Sequence, residues 1–401
     1  MKKIKAVNSS LIKTKVGLIT QDWNIVSIGE VIELSQYGLS ISNDENGTIP
    51  IIGMKHLVDG DVKIDDLSYV SITKEESKKF CLKKGDILLN RTNSYELVGK
   101  ISLFNHDNKL IVFASYLVRF QFDKNKVLPE FVNYFLNSYP AQHYLKRLAT
   151  KAVSQANINP SVFRKLFLLP IPPLEEQKKI AEILSTWDKA IALTEKLITA
   201  KQKLNKWLNL ALLNALNPIV LNKSWKNVKI GEICELHYGK GFKKEEYTLN
   251  GQSKIIGTTG IIGYTNKVLA VGETIIIGRK GTLNQPYYIE RKEKFWAIDT
   301  TYYVSSNENM KFLYYLFKHI NLLKFNESTG VPSLNRNSFY SIKVKIPDLK
   351  TQKIIVYFLD VSVAEIKQLE KLKEKIKKQK SGLMQKLLTG EWQINTEETE
   401  G

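Results

Sequence analysis

Two stretches of the chain carry apolar side chains at spacings of three and four residues over about six heptads. In the first, residues 174–216, they fall at Ile180, Leu184, Trp187, Ile191 and Ile198 and then, after a slip, at Leu204, Leu208 and Leu212. In the second, residues 349–388, they include Ile355, Phe358, Leu369, Leu372, Ile376, Leu383 and Leu387. Such a seam predicts coiled-coil helices, each roughly 60 Å long at 1.5 Å per residue. Pro170-Ile-Pro-Pro173 and Ile346-Pro347 lead into them, and Asn217-Pro218 and Gly390 stop them. A helix of this length cannot bury its stripe against one small domain, so the two are expected to pack on each other. The globular stretch between them leaves room for the chain to return, which makes an antiparallel pairing feasible. The alternative is that each helix takes up helices of a partner.

The stretches before the helices, 23–173 and 225–348, have a different pattern. Short β-branched and aromatic runs, such as Asp86-Ile-Leu-Leu, Leu110-Ile-Val-Phe and Thr274-Ile-Ile-Ile, alternate with Gly and Asn turns. Each stretch holds one amphipathic helix, predicted over Pro129–Leu148 and Met310–Phe325. The expected fold is therefore α+β: two globular α/β domains separated by two long helices packed as an antiparallel coiled coil. The expected boundaries are an extension at 1–22, a domain at 23–173, a helix at 174–217 and a linker at 218–224. A second domain at 225–348, a second helix at 349–390 and an acidic tail at 391–401 follow.

The chain repeats itself. Trp23-Asn-Ile-Val-Ser-Ile-Gly-Glu-Val-Ile-Glu-Leu34 returns as Trp225-Lys-Asn-Val-Lys-Ile-Gly-Glu-Ile-Cys-Glu-Leu236. Lys84-Gly-Asp-Ile-Leu-Leu-Asn-Arg91 answers to Val271-Gly-Glu-Thr-Ile-Ile-Ile-Gly-Arg279, and Ile171-Pro-Pro-Leu-Glu-Glu-Gln-Lys-Lys-Ile180 to Ile346-Pro-Asp-Leu-Lys-Thr-Gln-Lys-Ile-Ile355. Three landmarks in one order give a pseudo-two-fold internal repeat whose intervening content differs.

The charge narrows the class of partner. With 59 Lys and Arg against 40 Asp and Glu, the 401 residues carry a formal +19, which favours an anionic partner, nucleic acid first. Residues 23–173 account for +3, residues 225–348 for +7 and residues 349–389 for +6. Hydrophobic residues make up 43% of the chain, enough for two or three folded cores, yet no apolar run approaches the length of a membrane span. The basic start is not followed by the apolar core of a signal peptide. Cys81 and Cys234 cannot form a disulfide framework, so the cytoplasm is the expected compartment.

Catalytic signatures are missing. No P-loop and no H-E-x-x-H occurs; Gly99-Lys100 and Gly239-Lys240 lack the rest of a phosphate loop. Asn217-Pro-Ile-Val and Asn159-Pro-Ser-Val lack the second proline and aromatic of an adenine methyltransferase motif. Glu290-Arg-Lys292 is only half of a nuclease carboxylate pattern. His56, His106, His143, His237 and His319 are scattered, and Cys234 with His237 falls short of a four-ligand zinc site, so neither a metal nor a cofactor is expected in this chain.

Binding chemistry remains. Gly278-Arg279-Lys280-Gly281-Thr282 follows a predicted strand, and a Gly-flanked basic loop brings backbone close to phosphate while Arg reaches a base edge. Lys240, Thr258, Thr259, Asn284, Gln285 and Arg336 add candidate DNA contacts. In the first half the counterparts are Asn90, Arg91, Thr92 and Asn93, with Lys100 beyond. All seven arginines lie in the two globular stretches, and Arg, unlike Lys, makes the bidentate base contact. Each loop also reads as a hairpin with solvated charges. The Lys371–Lys380 run reads first as a solvated helix face and second as a track for phosphates.

These residues resemble a known family. Two variable domains alternate with helices that open on Ile-Pro-Pro-Leu-x-x-Gln or Ile-Pro-x-Leu-x-x-Gln, and the second helix ends on Gly382-Leu-Met-Gln-Lys-Leu-Leu-Thr-Gly390. From Trp23 to about Trp392 the chain is similar to the specificity subunits of type I restriction-modification systems. The resemblance implies a non-catalytic subunit whose two target recognition domains each read one half of a split double-stranded DNA sequence, with the helices fixing the spacer. It implies as partners two modification (methyltransferase) subunits and, in the full complex, two restriction subunits; S-adenosylmethionine, ATP and Mg would belong to them. It implies docking places near Leu174, Gln177, Leu349, Gln352, Trp207, Leu383 and Leu387. Asp348 and Lys350-Thr351 stand where the first helix has Pro173 and Glu175-Glu176, so the two places differ. The competing readings are a degenerate nuclease or methyltransferase, and a structural coiled-coil or general DNA-binding protein without sequence preference.

Overall fold

The computed structural model describes residues 4–6, 10–107, 109–151, 155–214, 216, 217, 220 and 224–394. The chain forms two compact units, Met1–Leu193 with Lys373–Gly401, and Thr194–Leu372. The division falls inside the two long helices, Leu174–Leu213 and Leu349–Leu388, so each unit owns part of both. Among the described residues, no helix is long and apolar enough to cross a membrane.

In the first unit a six-stranded sheet runs in the order Ile32–Tyr37, Leu117–Phe122, Ile87–Asn90, Ile101–Leu103, Asp61–Val62, Leu57–Val58. The strand Ile87–Asn90 is buried along its whole length. One face, through Ile87 and Leu89, meets Phe120, Phe131 and Phe135; the other, through Leu88, meets Phe104 and Phe113. A strand covered on both faces needs a continuous apolar run rather than an alternating one, which is the pattern seen here.

The second unit repeats the plan. Its sheet runs Cys234–Tyr238, Thr301–Ser306, Ala270–Gly278, Tyr287–Ala297, Ser253–Gly257, Gly260–Thr265. In both sheets the edge strand, its neighbour and the next strand inward pair antiparallel, and Asn90 opposite Leu117 corresponds to Gly278 opposite Thr301.

Each globular part is closed by a strand pair just before its long helix, Asn24–Ser27 with Leu168–Ile171 and Trp225–Lys229 with Lys343–Pro347. The Ile-Gly-Glu of the repeated landmark follows as a short helical turn. A Cβ on Gly29 would sit 2.8 Å from the carbonyl oxygen of Arg164, and one on Gly231 2.8 Å from Cβ of Tyr340, so glycine lets a helix pack directly on the turn. Those helices, Pro160–Leu166 and Arg336–Ser341, are capped by Asn159 and Asn335 and anchored by the fully buried Phe163 and Phe339. They are a further matched landmark that the sequence reading passed over.

The long helices pair antiparallel within each unit. In the first, Ile180 and Leu184 share a core with Leu387 and Leu388, and Lys380 Nζ meets Asp188 Oδ1 at 2.5 Å. In the second, Leu212 and Leu213 share a core with Ile355 and Leu359, and Lys201 Nζ meets Glu365 Oε2 at 2.7 Å. The seam differs in detail from the expected one. Leu204 and Leu372 are 45% and 46% exposed, while Lys201 and Lys380, their side chains 31% and 16% exposed, pair with acidic residues of the facing helix.

The sequence-based elements need three corrections. The helix expected over Pro129–Leu148 is two, Pro129–Leu136 and Tyr139–Arg147, because Pro140 fits only a first helical turn. The helix expected over Met310–Phe325 ends at His319, and Asn321 caps a separate 3-10 turn, Leu322–Phe325. Of Leu110–Phe113 only Val112–Phe113 is strand.

Residues 11–20, for which the sequence offered no role, form a hairpin whose Val16 and Ile19, with Trp23, join the core at the end of the second long helix. The Thr20 N–H donates to Thr389 O at 2.8 Å, and the strand Ile4–Ala6 pairs with Trp392–Ile394. Most of the expected linker 218–224 and of the acidic tail lies outside the described residues.

Candidate nucleic-acid interface

In the first unit the edge strand ends on Tyr37 and the buried strand on Asn90, and both lead into loops at one margin of the sheet. The guanidinium of Arg91 lies over the Tyr37 ring, 4.9 Å from its centroid. Arg91 Nε donates to Ser115 O at 3.4 Å and its N–H to Tyr116 O at 3.1 Å, while Arg91 O accepts from Ile158 N–H at 2.8 Å. The Gly38 N–H donates to Leu117 O, and a Cβ on Gly38 would stand 2.3 Å from Ala114 O, so only glycine lets the loop pass this close.

The second unit holds the same constellation. The guanidinium of Arg279 lies 5.7 Å from the centroid of Tyr238, its Nε donates to Asp299 O at 3.0 Å, and its N–H donates to Thr300 O at 2.8 Å. Arg279 O accepts from Leu334 N–H at 2.9 Å. A Cβ on Gly239 would stand 2.0 Å from Ile298 O. One addition distinguishes this unit: Arg336, first residue of its helix, lies 4.7 Å from the Tyr238 centroid and donates from Nη2 to Leu236 O. At the same place in the first unit, directly after the capping Asn159, stands Pro160. The turn 297–300 gathers the loops, since it also accepts from the Lys240 N–H through Ala297 O, and Lys280 N–H donates to Thr300 O. Burial first, then the neighbouring Tyr238 hydroxyl, push the Tyr302 phenol up to about 12 against the pull of the two guanidiniums.

The arrangement supplies half-buried guanidiniums, exposed lysines, half-exposed aromatic rings and turn backbone. Among the described residues no three His, Cys, Asp or Glu gather as metal ligands, and burial pushes the Cys234 thiol up to about 12, away from a ligating thiolate.

Several expected contact residues sit elsewhere. Asn90 is fully buried, because it completes the covered strand, and Thr92 is buried where its short strand pairs with Ala156–Ile158. Asn93 is held by Ser94 N–H and the sulfur of Met54. Asn284 gives its amide to Asn321 Oδ1 and receives Leu323 N–H, so it braces a turn. Lys100, Lys240, Thr259, Lys280 and Gln285 are exposed, and Thr258, Arg279, Thr282 and Arg336 half-buried. Arg119 is internal: it forms a buried pair with Asp86 at 3.4 Å and donates to Cys81 O. Burial pushes the Asp86 carboxyl up, against the Lys83 N–H, Gln121 and Arg119.

The expected docking residues also separate. Gln177 is fully buried; its Oε1 accepts from Leu128 N–H and its Nε2 donates to Lys126 O and Pro172 O. Gln352 is equally buried, accepting from Asn309 N–H and donating to Glu308 Oε2 and Pro347 O. Both join a long helix to its own globular part, and Leu387 is core, so none of the three is open to a partner. Leu174, Leu349 and Trp207 are exposed, and Leu383 and Trp187 half-buried.

Sequence reasoning missed Tyr37 and Tyr238. The signal was present, since Leu34-Ser-Gln-Tyr37-Gly38 and Leu236-His-Tyr238-Gly239 extend the first landmark to a shared Tyr-Gly across a one-residue gap.

A family model described as the type I restriction modification DNA specificity domain matches residues 20–201 and 222–378. The chain is 28% identical to a putative type I restriction enzyme MjaX specificity subunit of Methanocaldococcus jannaschii, over 96% of this chain and 97% of that one. It is 26% identical to the type I restriction enzyme MjaVIII specificity subunit of the same organism, over 94% of each. Among solved structures it resembles the S subunit of a type I restriction-modification system from M. genitalium, with a TM-score of 0.58 and 20% identity over 91% of this chain and 96% of that one. A second, the HsdS subunit of Thermoanaerobacter tengcongensis, gives 0.50 at 15% identity over 93% and 98%. These likenesses speak for the fold.

Proposed function

The chain belongs to the type I restriction-modification DNA specificity family, and from that premise we propose that its globular parts, 23–173 and 225–348, each read one half of a bipartite duplex sequence. It is a non-catalytic, DNA-recognising subunit. The observation that carries the bipartite reading is the repeated constellation of Arg91 and Arg279, each at the mouth of the same sheet position and braced by the same backbone contacts. Arg91, Arg279, Lys280, Arg336 and Lys240 would make the base and phosphate contacts, with Thr258, Thr259 and Gln285 beside them. The long helices would fix the spacer. The exposed apolar residues Leu174, Leu349 and Trp207 would face two modification subunits, which carry S-adenosylmethionine. Two restriction subunits using ATP and Mg would complete the assembly, in the cytoplasm.

Co-expression of the chain with its modification subunit, followed by mapping of methylated adenines, tests this reading. One bipartite motif with a fixed gap is the expected result. Methylation without a preferred sequence would instead favour a general DNA-binding coiled coil.

A further inference from the structure

We propose that Tyr37 and Tyr238 are positioning residues that hold the arginine fork of each half in the geometry that reads a guanine. The inference rests on the DNA-reading function above and names how each half does it.

Three observations carry it. Arg91 and Arg279 both tie Nε to a carbonyl two residues ahead of the neighbouring strand, Ser115 O and Asp299 O. Each also lays its guanidinium on a tyrosine ring that is half exposed, 51% for Tyr37 and 50% for Tyr238. Among the described residues neither arginine uses Nη1 or Nη2 in a hydrogen bond. The two terminal nitrogens are the pair that matches O6 and N7 of guanine in the major groove. A long side chain pinned at Nε and stacked on a ring loses little further freedom when it docks, and a pre-oriented fork binds better than a mobile one. The stack survives in both halves although the loops around it differ in sequence. The glycine that follows each tyrosine packs the loop against a carbonyl, which fixes the backbone from which the ring projects. In the second unit Arg336 shares the Tyr238 ring, so that half depends on its tyrosine through two cations, whereas Pro160 leaves Arg91 alone on Tyr37.

The test uses the full chain with its modification subunit, duplexes carrying the mapped target, and duplexes with one half scrambled. Tyr238→Ala is expected to lower affinity for the intact target by tenfold or more. Binding to a duplex whose second-unit half is scrambled should change less than twofold, and the melting temperature should stay near that of the wild type. Tyr238→Phe, which keeps the ring, should restore affinity to within about threefold, and Tyr238→Leu, which keeps bulk without a ring, should not. Tyr37→Ala should weaken the other half in the same way, by less, and Tyr37→Phe should restore it. Equal losses on intact and scrambled duplexes, a Phe variant as weak as Ala, or a Leu variant as strong as Phe would overturn the proposal while leaving the DNA-reading function standing. A wild-type complex that does not distinguish the intact target from the scrambled ones would overturn both.

Discussion

Arg336 and Arg279 share one aromatic ring, at 4.7 Å and 5.7 Å from the Tyr238 centroid, although they stand 57 residues apart in the chain. Such a cluster places two cations at a single point on the second unit. In the first unit, among the described residues, Arg91 occupies the corresponding ring alone. The two halves of an internal repeat thus share a frame and differ in how many guanidiniums it presents.

Arg279→Ala should weaken recognition of one half-site by about 1 to 3 kcal/mol and leave the other half unaffected. Arg91→Ala should do the reverse. Arg279→Lys should not rescue, because an ammonium lacks the planar fork. Competition binding with duplexes altered in one half at a time measures this, and a uniform loss over both halves contradicts it.

Removing one heptad from each long helix should shorten the preferred gap between half-sites or abolish binding. Seven residues correspond to about 10 Å of helix, near the rise of three base pairs. Adenine mapping after the matched deletion reports the gap, and an unchanged gap with unchanged affinity counts against the helices as a ruler.

Gln177→Ala and Gln352→Ala should each cost about 1 to 3 kcal/mol of stability, since the first strips partners from the Leu128 N–H and the Lys126 and Pro172 carbonyls and the second from the Asn309 N–H, the Pro347 carbonyl and the Glu308 carboxylate. Urea unfolding measures the loss. If either variant keeps wild-type stability but fails to bind a modification subunit, the residue is a docking contact after all.

Arg119→Ala should be among the most destabilising single changes in the first unit, about 3 to 5 kcal/mol, because the buried Asp86 loses its cationic partner and the Cys81 and Lys79 carbonyls lose their donor. Arg119→Ala combined with Asp86→Ala should lose less than the single change. Denaturant midpoints of the two variants decide it.

His319 gives a pH dependence. Burial lowers its pKa below 6.5, and Asn214 Nδ2 contacts its Nε2 at 3.3 Å, as a donor to a neutral ring would. The folded chain therefore binds a proton less readily than the unfolded one. The neutral ring's contribution is whole above about pH 6.5 and is lost as the pH falls through that value toward the folded pKa. Melting curves between pH 7.5 and 5 should show the wild type losing more than His319→Gln, and parallel curves would refute the assignment.

The long helices were legible because their signal is local. A three-and-four spacing, a proline entry and a glycine stop are properties of neighbouring residues. The repeat was legible for a similar reason: Trp23 and Trp225 head stretches that share a pattern readable without knowing any contact. Even so, the periodicity put Leu204 and Leu372 on a seam from which the structure exposes them, because the register between two helices is set by side chains on both. Pro140 was a visible stop that the amphipathic pattern around it obscured.

The chain by itself determined two α/β parts, two forty-residue helices, a basic surplus and the residue types able to read DNA. Only the tertiary structure decided which of those residues reach the surface. Asn90 and Arg91 are adjacent, yet one completes a strand covered on both faces and the other lies on an open ring. Gln177 and Gln352 open their helices with the same motif that suggested docking, yet both amides are used up inside their own units. Exposure and pairing depend on strands brought together across 80 or more residues, as with Tyr37 and Val118, and a contact at that separation leaves no periodic trace in the sequence.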